Sequence, residues 1–129
     1  MNLVSIANYL QSKNVGTVAK TIYVNMLPID VSLGILLRND LNGVEIDYEL
    51  RGYSKFRFQA IVRAPSYFQG ENLMQKLSDA LTLVNTQIDE YHFNYIRPRT
   101  EPVVFPLSEG NFLEFSIYLD ASCYRTANG

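Results

Sequence analysis

Few residues in this chain have chemistry to offer. One histidine, His92, and one cysteine, Cys123, are its whole supply of imidazole and thiol, and together they could form a nucleophile activated by a base. No local motif accompanies them. Each falls in a stretch that reads as a strand, His92 at a partly wet position and Cys123 as a small apolar residue near the end of a sheet. A second grouping, Glu45, Asp47 and Glu49, shares one face of an alternating stretch, with about 7 Å between successive carboxylates. Such a pair could act as acid and base. Nothing around it suggests the burial that raises a carboxyl pKa, so a solvated or ion-paired surface is the better reading. There is no His/Cys cluster, no calcium-loop spacing, no dinucleotide fingerprint and no phosphate loop, so neither metal nor cofactor is implied. No catalytic residues, and no enzyme, are expected.

The rest of the composition bounds the class. At 129 residues, with 47% hydrophobic and 19% charged, the chain is expected to form one globular domain over residues 1–129, burying roughly two thirds of its unfolded surface. The net charge of −2 argues against a general phosphate-binding surface. Apolar runs are too short to span a bilayer, and no basic segment followed by an apolar one opens the chain, so no membrane span or secretory leader is expected. The lone cysteine suits a reducing compartment such as a cytoplasm. Nine Tyr and seven Phe without a Trp would serve interfaces as well as a core.

Stepping along the chain, Leu3, Ile6, Ala7 and Leu10 form one apolar helical stripe that ends by Asn14 to Gly16. Residues 21–26 and 32–38 read as strands separated by a turn near Pro28 and Asp30. Asn42-Gly43 signals a tight hairpin, which would set Leu37 opposite Tyr48, Ile35 opposite Leu50 and Arg38 opposite Asp47. Residues 44–50 alternate, with the three carboxylates on one side. Residues 55–64 alternate too, with Phe56, Phe58, Ala60 and Val62 facing one way and Lys55, Arg57, Gln59, Ile61 and Arg63 the other. A three-residue loop of Gly52, Tyr53 and Ser54 would place Glu49 opposite Arg57 and Asp47 opposite Gln59, completing a three-stranded meander.

Ser66 and Gln69 have helix-capping spacing, and Leu73, Met74, Leu77, Ala80, Leu81 and Val84 make the apolar stripe of the main helix. A strand over 91–97 follows, then a connection over 99–110 with Pro98, Pro102 and Pro106 at or near its bends, which excludes a central strand. Residues 111–124 form the last strand, with Leu113, Phe115, Ile117 and Leu119 inward and Glu114, Ser116 and Asp120 outward, long enough for a bulge or a projecting end. The expected fold class is α+β, a mostly antiparallel sheet with one main helix packed on one face and a short N-terminal helix.

Taken together these stretches resemble the tail-terminator family of long-tailed bacteriophages, whose relatives are also labelled minor capsid or tail-completion proteins. The likeness runs through an N-terminal helix, a strand and a Met-Leu-Pro turn at 26–28, then Ile35-Leu36-Leu37-Arg38 leading to Gly43. It continues through Asp47 to Tyr53 and Phe58 to Ala64, with Tyr67 opening the long helix. The resemblance implies a homo-oligomeric ring, a hexamer, that sits on the end of the tail tube, stops its growth and meets the head-side connector. It implies no catalytic residues and no cofactor. DNA would pass through such a ring without specific binding, and Glu45, Asp47 and Glu49 are the candidates for its lumen or interface. Arg38, Arg57, Arg63, Arg99 and Phe105 are the candidates for contacts between subunits. The protein would then belong to the virion, in its tail or neck, assembled in the host cytoplasm. A reading of another class is a small cytoplasmic peptide- or ligand-binding domain, with Tyr9, Tyr23 and Tyr91 lining a groove between sheet and helix.

Overall fold

The structure, a computed structural model, describes residues 3–28, 31–39, 45–46, 53–106 and 112–126. Along the chain come α1 (Leu3–Ser12), β1 (Ile22–Val24), β2 (Gly34–Asn39), β3 (Glu45–Ile46) and β4 (Tyr53–Ala64), then α2 (Tyr67–Ala80), β5 (Leu83–Ile88), β6 (Tyr91–Pro98), β7 (Val103–Pro106) and β8 (Leu113–Arg125). Two helices and a mostly antiparallel sheet make this an α+β fold.

β4 and β8 form the spine, paired antiparallel from Tyr53 opposite Tyr124 to Ala64 opposite Leu113. Their alternation builds the core: Phe56, Phe58, Ala60 and Val62 of β4 and Phe115, Ile117, Leu119, Ala121 and Cys123 of β8 are buried side by side. Each spine strand is flanked on its other edge in two pieces. β2 pairs with β4 from Gly34 opposite Arg63 to Asn39 opposite Phe58, and β3 pairs with the same edge at Lys55 and Ser54. β6 covers β8 from Arg125 to Leu119, and β7 from Ser116 to Leu113. β1 adds in parallel to β2 and β5 antiparallel to β6, giving the order β1-β2-β4-β8-β6-β5. α1 touches β1 and β2 at one end of that order and β5 at the other, so the sheet curls around the core and the helix bridges its ends.

The predicted hairpin register is overturned. Arg38 stands opposite Gln59, Leu37 opposite Ala60 and Ile35 opposite Val62, instead of facing Asp47, Tyr48 and Leu50. The long edge of β4 lets Ile35 and Leu37 become fully buried, and burial of that size, about 1.5–3 kcal/mol per large side chain, outweighs a local turn preference. The register of the next pair differs from the expected one as well: Glu45 faces Lys55, Ile46 faces Ser54, and the position opposite Gln59 is taken by Arg38. The Asn42-Gly43 turn, Asp47, Glu49 and Gly52 lie outside the described residues.

The helices follow their sequence signals. All four predicted residues of α1 are buried, and Asn14 ends the element at φ 62°, a left-handed conformation that asparagine tolerates. Ser66 caps α2 by accepting from the Gln69 N–H at 3.2 Å. A Cβ on Gly70 would lie 2.0 Å from a ring carbon of Phe115, so only glycine lets the helix sit this close to β8. Val84 is a correction: it belongs to β5, where it is exposed, and the helix stops at Ala80. β5 escaped prediction because Asn85, at φ 47°, interrupts its pairing and its alternation. The 99–110 connection contains a strand, β7, which pairs with β8 alone and is bordered by Pro102 and Pro106, as suits an edge. β8 has no projecting end, and the bulge falls in β6, between Phe93 and Tyr95.

Candidate interaction surfaces

Among the described residues both helices pack on one face of the sheet and neither lies on the other. On β4 and β8 the alternate residues point there, and polar side chains are held to one another across the strands. Arg63 Nε lies 3.3 Å from Glu114 Oε2, with both side chains largely shielded, and Arg63 also donates to the carbonyls of Pro28 at 3.0 Å and Val31 at 3.3 Å. Arg57 and Arg99 share Asp120, at 3.5 and 3.8 Å. Gln59, buried, donates to Ser116 Oγ at 2.6 Å and accepts from Arg38 Nε. Arg97 stacks on Tyr95 with 4.2 Å to the ring centre. These bonds replace water for groups that flank the core, and among the described residues no buried side-chain polar atom lacks a partner.

The sheet brings together four of the five candidate contact residues. Arg38, Arg57, Arg63 and Arg99 share this face or its rim, and Phe105 lies on β7 opposite Glu114 in register. Of the acidic candidates, Glu45 is placed opposite Lys55; Asp47 and Glu49 fall outside the described residues.

A groove between α2 and β7 was not foreshadowed by any local pattern of residues. Its volume is about 410 Å³; Met74 and Phe115 form the floor, Tyr67 and Val104 the walls, and Glu71 and Glu101 stand at the rim. It joins residues far apart in the chain. Tyr9, Tyr23 and Tyr91 do not line it: Tyr9 and Tyr91 pack on the core, and the Tyr23 hydroxyl donates to the Lys20 carbonyl at 2.9 Å.

The His92–Cys123 pair does not form. His92 stands opposite Tyr124, with 5.0 Å between ring centres, while Cys123 stands opposite Phe93 in the core, so the two side chains leave the sheet on opposite faces. Burial pushes the Cys123 thiol up to about 11, the opposite of what a thiolate nucleophile requires. Among the described residues no group of three His, Cys, Asp or Glu gathers to hold a metal, and no helix is long and apolar enough to cross a membrane.

The sheet carries both helices on one face and is polar and cross-braced on the other, and among the described residues β5 and β7 are each paired on one edge only. A family model described as bacteriophage tail terminator protein matches residues 9–125, and the chain belongs to that family. It is a phage tail structural protein, a component of the virion. Among solved structures it is similar in fold to a chain of "Virion of native gene transfer agent (GTA) particle", with a TM-score of 0.69 at 11% identity, covering 94% of this chain and 92% of that one. No curated protein matches it in sequence.

Proposed function

We propose that the chain acts as one domain in a closed ring of six copies that caps the tail tube, ends its growth and joins it to the head-side connector. The observation that carries this is the set of strands paired on one edge only, beside a polar face without a helix on it, in a chain of this family. Such surfaces suit heterologous contacts, which close into rings when the rotation between copies closes. Glu45, Asp47 and Glu49 would line the channel and let DNA slide through without specific binding, consistent with a net charge of −2. Arg38, Arg57, Arg99 and Phe105 would meet the neighbouring subunit. Arg63, already engaged with Glu114 and two carbonyls, would brace that surface from within. Assembly would take place in the host cytoplasm.

Native mass spectrometry at micromolar concentration, with and without tail tubes, tests the ring. A single closed species of six chains is the expected result, and monomers under both conditions would overturn the reading.

A further inference from the structure

The Met-Leu-Pro turn opens with an exposed apolar side chain, Met26. β1 stops before Asn25, whose φ of 66° turns the chain outward while its N–H donates to the Leu37 carbonyl at 2.8 Å. The next residue, Met26, is 75% exposed and lies at the same corner of the sheet as Arg38, which is also exposed. Arg38 bonds Gln59 and has no carboxylate partner among the described residues. The corner is therefore a flexible apolar knob beside a cation.

The groove between α2 and β7 has the opposite character. Its floor of Met74 and Phe115 is apolar, its rim carries Glu71 and Glu101, and no lysine or arginine lines it. Neither carboxylate is paired with a cation among the described residues, and both are exposed. The groove holds about 410 Å³, room for more than one side chain.

We infer that the Met26–Arg38 corner of one copy docks in the α2/β7 groove of the next. Charge complementarity selects the occupant: the apolar methionine seats on Met74 and Phe115 while the Arg38 guanidinium meets Glu71 and Glu101. β1 and β2 lie on one side of the β4–β8 spine and β7 on the other, so the contact joins two different surfaces of the same chain. That is a head-to-tail contact, the kind that closes rings and not two-fold dimers. The inference rests on the ring reading above and adds the surfaces that make it.

Two variants test it: a corner variant with Met26→Asp and Arg38→Glu, and a groove variant with Glu71→Arg and Glu101→Arg. Circular dichroism checks that each is folded, and Met26→Asp alone serves as the corner variant if Arg38→Glu disturbs Gln59. Each is expected to raise the concentration for half-assembly roughly tenfold or more. Mixed together they should assemble alternately, because each intact corner finds an intact groove and each charge-exchanged corner finds a charge-exchanged groove. All four substitutions in one chain, with the charges exchanged, should recover rings. The contact is overturned if wild-type protein forms rings and either folded variant assembles equally well, or if the mixture assembles no better than the variants alone. Wild-type protein that stays monomeric with tail tubes present would overturn the ring reading itself, and this inference with it.

Discussion

The two faces of the β4–β8 spine are made from the same twenty-odd consecutive strand positions, yet they are held in different ways. The covered face is stabilised by removing apolar area from water, and its residues, Phe58, Leu119 and Ile117 among them, have nearly no exposure. The open face is stabilised by mutual satisfaction of polar groups, Arg63 with Glu114, Gln59 with Ser116 and Arg57 with Asp120. The first mode fixes the fold whatever surrounds the molecule. The second leaves side chains that a neighbouring subunit can engage without unfolding anything, which is what a building block of an assembly needs.

Substitutions on the two faces should separate in size. Phe58→Ala opens a cavity at the centre of the covered face and is expected to cost about 3–5 kcal/mol in chemical denaturation. Gly70→Ala drives a methyl into the Phe115 ring; despite alanine's better helix propensity it should cost roughly 1–3 kcal/mol, measured the same way. On the open face, Arg63→Ala strands the shielded Glu114 and frees two carbonyls, a loss of about 2 kcal/mol. Arg125→Ala breaks an exposed pair with Glu90 and should change stability by less than about 0.5 kcal/mol. An Arg125 effect as large as that of Phe58 would erase the distinction between the faces.

Cys123 probes the covered face by pH. Its thiol sits well above the ordinary value of 9.0, at about 11, because burial disfavours the thiolate. The folded state therefore holds its proton more tightly than the unfolded chain. Its contribution to stability is complete below pH 9 and is lost as pH rises from about 9 to about 11. A disulfide reagent at pH 8 should leave the folded protein unmodified and titrate one thiol after denaturation.

How much of this could be read from the sequence follows from the range of each interaction. The faces of 55–64 and 113–119 were legible because alternation is decided residue by residue, and the Ser66–Gln69 cap because its partners are three apart. Strand partners were not. Asn42-Gly43 made a hairpin attractive locally, whereas the actual partner of Arg38 is Gln59, selected by how Ile35 and Leu37 fill the core. The α2/β7 groove was invisible for the same reason, since Glu71 and Glu101 meet only after the sheet has formed. Exposure of Met26 depends on the left-handed Asn25. Alternation put Arg57 and Arg63 on one face of their strand, but which of them is bound internally required the loop carbonyls of Pro28 and Val31.

Electron microscopy of the purified chain incubated with tail tubes tests the central claim most directly. A closed ring should sit on one end of each tube, with tube growth halted there. Tubes with bare ends that continue to lengthen, beside unassembled monomers, would contradict it.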